Sequence, residues 1–363
     1  PEKLLMPIGI SFYTLQAIGY MTDVYWGTIQ AETEIWRTAL FLGFFPQIME
    51  GPIARYSDVA DTLYTGKPLE YRNVVDGYVR IFWGLFKKMV IADRMALMVN
   101  QVFDHYADYH GAVILAAAIG YVIQLYMEFS GCMDIIIGSG KLFGICLPEN
   151  FRQPFCAKNP SEFWRRWHMT LSGWFKSYVY FPLGGSRKGL ARTICNTAVV
   201  WFLTGVWHGA SWNFILWGSL YGVLIIIEKL VTTALTKAGK QDIFTKIPSI
   251  IKRVYAIVLV MLGWVLFDTS TIAQAFSYMG RMFRFGSSFY DSYTIYILVN
   301  FGLLFIIAII GSTDLPKKLA IKLADKVPAV GNYGSVILMA ILMLLSTAYL
   351  VNASYNPFLY FNF

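Results

Sequence analysis

Charge is what this sequence most conspicuously lacks. Asp, Glu, Lys and Arg make up 14% of its 363 residues, against about 25% in ordinary soluble domains. So little charge excludes a soluble globular protein of this length. With 56% hydrophobic and 17% aromatic residues and a mean hydropathy of +0.51, the excess apolar surface has to face lipid. Cysteine is scarce too. Cys132, Cys146, Cys156 and Cys195 form no Cys-x-x-Cys pair, which argues against a disulfide or zinc framework and leaves them as small apolar residues. The chain begins at Pro1 without an initiator Met, and no basic, apolar and small-residue leader pattern follows. A further N-terminal helical portion is therefore expected. The net charge of +8 would raise nucleic acid as a partner in a soluble protein, but no nucleic-acid-binding motif accompanies it.

What is present is a series of apolar runs. A transmembrane helix needs about 20 largely apolar residues. Clear candidates cover 112–127, 212–227, 254–267, 295–310 and 336–351, and weaker ones cover 4–21, 36–49, 78–102, 132–146 and 194–207. The weaker runs are short, interrupted or charged. Pro46 breaks one, and Lys87, Lys88, Asp93 and Arg94 sit inside another. Unpaired polar groups cost several kcal/mol in hydrocarbon, so such segments belong against other helices or at the interface. The expected fold is all-α: a polytopic transmembrane helical bundle with re-entrant and interfacial pieces, forming a single membrane-embedded domain over 1–363. No internal repeat and no second soluble domain is visible.

Residues 161–180 read as one interfacial helix capped at Asn159. Trp164, Trp167, Leu171, Trp174, Phe175 and Tyr178 line one face, and Arg165, Arg166 and Lys176 the other. Lys and Arg concentrate in 186–192, 228–253 and 313–327, which the positive-inside rule assigns to the cytoplasm. The turn 205–211 and residues 355–363 then lie toward the outer side. Membrane lipids are the immediate surroundings.

Only four histidines occur. His105 and His110 lie in a polar loop and read as solvated, whereas His168 and His208 lie among tryptophans. A histidine in a membrane segment serves either as a hydrogen-bonded structural group or as a functional one. Glycines flank His208 at Gly205 and Gly209 and allow close approach. A neutral imidazole can accept a proton near neutral pH. Glu128 and Asp134 flank an expected helix break at 129–131 and suit an internal network with Lys or Arg. Glu50 and Arg55 bracket Gly51-Pro52 as a possible pair.

Three ordered blocks carry a resemblance. GPIARYSDV (51–59), FWRRWHMTLSGWFKSYVYFPLGGSRKG (163–189) and TGVWHGASWNFILWG (204–218) resemble the bacterial membrane-bound O-acyltransferase family, in its alginate O-acetylation and teichoic-acid D-alanylation subgroup. The resemblance implies a helical ring around a central funnel. It implies that His208 is the family's principal motif histidine and His168 the second. His208 reads as the catalytic base and His168 as the group that orients or polarises the reacting partner, while the sequence leaves open which of the two is the base. The chain end, NPFLYFNF, is similar to a C-terminal motif of the subgroup in which a tyrosine holds the acyl group, here Tyr360. That tyrosine otherwise reads as an aromatic interface anchor.

The implied reaction moves an acyl group, acetyl by preference, from a cytoplasmic thioester to hydroxyls of an extracellular or cell-wall polysaccharide. Acetyl-CoA and an acyl-carrier-protein thioester are the candidate donors. A separate extracytoplasmic acyltransferase is the expected partner, in the bacterial cytoplasmic membrane. Arg165, Arg166 and Arg187 are candidates for holding the anionic donor, or else headgroup anchors. No metal and no permanently bound cofactor is expected. Two alternatives stand beside this: a transporter or flippase without covalent chemistry, and an O-acyltransferase acting on lipid or protein.

Overall fold

The computed structural model describes residues 9–66, 68–240, 242–284 and 291–352. Tyr360 lies outside the described residues. The described chain is helical without strands. It opens with α1 (Ile10–Tyr25), α2 (Ile35–Gly43), α3 (Tyr56–Tyr64) and α4 (Tyr71–Leu85). A π-helical stretch, Phe86–Ala92, joins α4 to α5 (Asp93–Asp104), and α6 (Ala112–Leu142) follows. The short α7 (Pro160–Trp164) and α8 (Met169–Phe175) lead through a second π turn into α9 (Leu190–His208) and α10 (Trp212–Lys237). Then come α11 (Ile243–Lys246), α12 (Ser249–Asp268), α13 (Ile272–Met282), α14 (Ser292–Gly311), α15 (Leu315–Lys326) and α16 (Pro328–Asn352).

Four helices, α6, α10, α12 and α14, are long and apolar enough to cross a membrane, and α16 carries a shorter apolar run, Val336–Val351. They coincide with the five clear runs of the sequence. They are not equivalent. The apolar window of α6 is 78% buried inside the protein and that of α14 only 17%, so α6 is the central post and α14 faces outward. Helices α4, α5, α12, α13 and α14 all pack on α6.

The expected break at 129–131 is absent. Helix α6 runs unbroken through Ser130-Gly131 for 31 residues, merging two runs that look separate in the sequence. The glycines serve helix contact instead. A methyl group on Gly131 would sit 2.9 Å from the Gly84 carbonyl oxygen, and one on Gly138 2.8 Å from that of Gly77. These two pairs, seven residues apart on each helix, let the α4 and α6 backbones touch.

Beyond them the π turn of 86–92 lets both Lys87 and Lys88 reach α6. Lys87 Nζ lies 2.6 Å from Asp134, and Lys88 Nζ lies 2.9 Å from Glu128 and 2.7 Å from Asp93. Arg80 closes the set, 2.9 Å from Asp134 and 2.5 Å from Glu149. Lys87, Lys88 and Asp93 are thus neutralised within this network, as buried charges require, while Arg94 lies over the Tyr349 ring.

The segment 161–180 also departs from expectation. It is not one helix. Asn159 caps α7 as read, its side chain accepting the Glu162 amide at 2.7 Å, but the helix stops after Trp164 and restarts at Met169. His168 lies in the gap with a left-handed backbone, φ 47°. Nor does its aromatic face lie among headgroups. Trp164, Trp167, Leu171, Trp174 and Phe175 are all buried in protein. Glu50 and Arg55 do not pair: Arg55 donates to Ser177 and lies over the Tyr178 ring.

Candidate functional site

Two polypeptide turns deliver the two histidines. The first is the α9–α10 hairpin. Its helices approach closely because Gly205 and Gly218 face one another's backbones: a methyl group on Gly218 would meet the Trp201 carbonyl oxygen at 2.5 Å, and one on Gly205 that of Phe214 at 2.6 Å. His208 is the last residue of α9. The close approach sets its ring edge-on to Trp217 at 4.9 Å and to Phe267 of α12 at 5.3 Å. His208 is half-buried.

The second turn is the break between α7 and α8. Here Asn150, fully buried, organises the chain. Its carbonyl oxygen accepts the Met169 amide at 2.9 Å. Its side-chain Oδ1 accepts the Thr170 amide at 3.0 Å and the Thr170 hydroxyl at 2.9 Å. The Thr170 hydroxyl in turn accepts the Ile53 amide at 3.1 Å. Two donors thus identify Oδ1 as the oxygen of the amide, and His168 Nδ1 lies 3.3 Å from that same atom. An oxygen there can only accept, so Nδ1 carries the proton and Nε2 is left with a bare lone pair. That Nε2 is buried and has no hydrogen-bond partner among the described residues. Phe12 of α1, Phe129 of α6 and Trp207 of α9 box the ring.

Forty positions apart in sequence, His168 and His208 line one cavity, together with Leu125, Trp164, Trp167, Trp217, Trp264 and Phe267. Its free volume is about 10 Å³, room for about one water. A larger groove of about 340 Å³ runs between α7–α8 and α9–α10 and ends on His168 and Trp164. Ser161, Arg165, Lys176 and Tyr180 also line it. Glu228 of α10 anchors its rim by accepting the Ser161 hydroxyl at 2.8 Å. The two spaces share the wall made by Trp164 and His168.

The candidate arginines separate. Arg165 is exposed and lines the groove. Arg166 is engaged elsewhere, 2.8 Å from Glu162 and donating to the Arg152 carbonyl. Burial pushes the Glu162 carboxyl up, but the Lys158 amide and Arg166 outweigh it and hold it below the ordinary carboxylate value. Arg187 is exposed in the loop that follows the second π turn. His105 and His110 are exposed, as read.

All three sequence blocks meet here. Block 51–59 supplies Ile53 behind Thr170, block 163–189 supplies Trp164, Arg165 and His168, and block 204–218 supplies His208 and Trp217. Asn150 was not singled out by sequence reasoning. A lone Asn in a Pro-Glu-Asn-Phe loop carries no pattern, and only the long-range pairing of 150–152 with 166–170 reveals it.

Comparison with known proteins agrees with this convergence. The chain is 36% identical over 283 residues to the probable alginate O-acetylase of Azotobacter vinelandii, covering 78% of this chain and 55% of that protein. It is 34% identical over 305 residues to the peptidoglycan O-acetyltransferase of Helicobacter pylori, covering 77% and 57%. It is 31% identical over 236 residues to the teichoic acid D-alanyltransferase of Bacillus subtilis, covering 62% and 59%. The chain thus spans a little over half the length of these relatives. A family model described as the membrane-bound O-acyltransferase family matches residues 34–270, a stretch that contains all three blocks and both cavity histidines, and the chain belongs to that family.

Proposed function

We propose that the protein is an O-acyltransferase that moves an acyl group, acetyl by preference, from a cytoplasmic thioester to hydroxyls of an extracytoplasmic polysaccharide. The single observation that carries this reading is the cavity shared by His168 and His208, which abuts, across Trp164 and His168, a groove bearing Arg165 and Lys176. Names borne by the relatives, with alginate, peptidoglycan and teichoic acid as acceptors, support a polysaccharide acceptor. The positive-inside count, which assigns the basic loop 186–192 to the cytoplasm, supports entry of the donor from that side.

In this reading an acyl thioester, of coenzyme A or of a carrier protein, lies in the groove with its anionic part near Arg165 and Lys176. The acceptor hydroxyl enters by the turn 209–211 and meets His208. His208 takes the hydroxyl proton as the oxygen bonds to the acyl carbon. The carbon–sulfur bond then breaks, and the proton passes to the departing thiolate. A positioned base of this kind contributes about 10²–10⁴-fold. His168, with its lone pair fixed by Asn150, accepts a hydrogen bond across the cavity and holds the reacting partner in register. Tyr360 is the proposed transient acyl carrier, which would divide one transfer into two. An extracytoplasmic acyltransferase is the proposed partner that completes delivery, and the bacterial cytoplasmic membrane the proposed location.

His208→Ala tests the reading. Acylation of the polymer is expected to vanish while the amount of protein in the membrane stays constant. Unchanged acylation in this variant would remove the basis of the proposal. Incubation with labelled acyl donor tests the carrier role: label held covalently by the protein and lost in Tyr360→Phe is the expected result. Broken helices and mid-membrane charges also mark transporters, but the ion pairs of Lys87, Lys88 and Arg80 give those charges a structural use.

A further inference from the structure

One mid-span cation is left out of the ion-pair network. Arg80, Lys87 and Lys88 each reach a carboxylate. Arg94, further along the same run, makes no ion pair among the described residues and lies over the Tyr349 ring at 5.5 Å. It is exposed on the surface of α5. A guanidinium bare in hydrocarbon is costly, so an arginine at such a position calls for a partner.

Arg94 lines a groove of about 740 Å³ between α5, α14 and α16, within the roughly 300–1,000 Å³ of ligand sites. The groove shares no lining residue with the two spaces beside the histidines. Its walls change character along its length. On α14, Tyr293, Tyr296 and Asn300 come first, and Leu303, Leu304 and Ile307 follow. All six fall on one helix face by spacing. The α5 wall matches this order. The Gln101 amide lies 3.5 Å from the Tyr109 hydroxyl. Tyr109 stacks on Tyr293 at 5.0 Å, and Tyr293 on Tyr296 at 5.5 Å. Arg94 follows about 10 Å from Gln101 by helix rise, and Val90 lies beyond it. One end is therefore polar and aromatic, as at a membrane–water interface. The other end is aliphatic, and a single cation stands at the transition.

We infer that this groove binds a phospholipid, with its phosphate on Arg94, its head group toward Gln101 and the tyrosines, and its acyl chains over Leu303, Leu304 and Ile307. The planar fork of an arginine takes phosphate oxygens in pairs. The Gln101 amide and the tyrosine hydroxyls suit the oxygens of a head group. A wholly apolar occupant would leave Arg94 bare, and a small soluble anion would leave the aliphatic end unfilled. A phospholipid answers both. The inference stands apart from the acyltransferase reading.

The test compares wild type with Arg94→Gln and Leu303→Trp, each made in the native membrane and taken into mild detergent. Leu303 is 71% exposed, so a larger ring there blocks the groove without entering the core and leaves Arg94 in place. Bound lipid is counted by native mass spectrometry. Wild type is expected to keep one phospholipid. Arg94→Gln should weaken its binding about tenfold or more, as loss of a charged hydrogen bond implies, and Leu303→Trp should exclude it by bulk. Delipidated protein is then titrated with phosphatidylglycerol, with diacylglycerol of the same chains, and with inorganic phosphate. A tight first binding step is expected for phosphatidylglycerol alone. It should vanish in Arg94→Gln and return in part in Arg94→Lys, which keeps the charge.

Equal phospholipid occupancy in wild type and both variants would overturn the inference. Diacylglycerol or inorganic phosphate binding as tightly as phosphatidylglycerol would overturn it too. So would a wild type that carries another protein in place of lipid, or one that neither keeps phospholipid nor gains it on titration. If Arg94→Gln fails to accumulate in the membrane, Leu303→Trp decides, and phospholipid retained there at the wild-type level would sink the proposal. None of these outcomes bears on His208-dependent transfer.

Discussion

Two buried polar clusters among the described residues are built in opposite ways. Between α4 and α6, the cations Arg80, Lys87 and Lys88 each meet at least one carboxylate within 2.9 Å. In the residues that line the cavity between His168 and His208, three buried polar atoms, His168 Nε2, Trp164 Nε1 and Trp217 Nε1, have no hydrogen-bond partner among the described residues. Both clusters abut α6: Glu128 joins the ion pairs, while its neighbour Phe129 packs on His168 at 4.9 Å. A satisfied network stores its free energy in the fold. An unsatisfied one leaves groups able to bond a substrate, and interactions realised only in the transition state accelerate a reaction.

Breaking the satisfied cluster should damage the fold most. Lys88→Met takes the Lys88 ammonium away from Glu128 and Asp93, and removing one partner of a buried ion pair costs about 3–5 kcal/mol. A marked fall in the thermal midpoint in detergent, or loss of the folded protein, is the expected outcome. A midpoint within about 1 °C of wild type would show that the network contributes nothing. Breaking the other cluster should leave the fold and remove the chemistry. Asn150→Ala frees His168 Nδ1, and a rate loss of about 10²-fold is expected, at the lower end of what a well-placed base contributes. Nitrogen NMR of His168 is expected to change from a single Nδ1–H tautomer to a mixture. A single unchanged tautomer would refute the role of Asn150.

Gly218→Ala tests the link between packing and site. A methyl group 2.5 Å from the Trp201 carbonyl oxygen has to push α9 from α10, at about 1–3 kcal/mol. Stability and acyl transfer should fall together, and wild-type values of both would deny that the hairpin places His208. The smallest effects compare two adjacent arginines. Arg165→Ala is expected to raise KM for the thioester severalfold with stability unchanged. Arg166→Ala should leave KM alone and lower stability by up to about 1 kcal/mol, as partly exposed pairs do. The Arg166 effect has a pH signature. Glu162 is held below its ordinary value, so the pair contributes fully above the unfolded carboxylate pKa. The contribution fades as pH falls through the lower, folded value. Equal stability losses for Arg166→Ala at neutral and at strongly acid pH would contradict the pairing.

Much of this was legible in the sequence. The five clear apolar runs all appear within helices, because a 20-residue apolar stretch has few other ways to satisfy its backbone in lipid. The two Trp-flanked histidines were identifiable because imidazoles are rare in such surroundings. Other features were not. Ser130-Gly131 looked like a break and is a helix contact, since whether a glycine ends a helix or admits another depends on what lies opposite, here Gly84. The segment 161–180 looked like one amphipathic helix and is two, because Asn150, about 18 residues upstream of His168, captures the backbone at Met169 and Thr170.

The sequence by itself determined that the chain lives in a membrane, that it is helical, which family it resembles, and that His168 and His208 are its unusual residues. These follow from composition and local pattern, which need no partner to be read. Only the tertiary structure decided that both histidines line one void, that Arg166 is spent on Glu162 while Arg165 lines the groove, and that the Trp164 and Trp217 N–H groups find no acceptor among the described residues. The physical reason is that an unsatisfied hydrogen bond belongs to a place and not to a residue. It becomes visible only when everything that might have filled it has been folded into position.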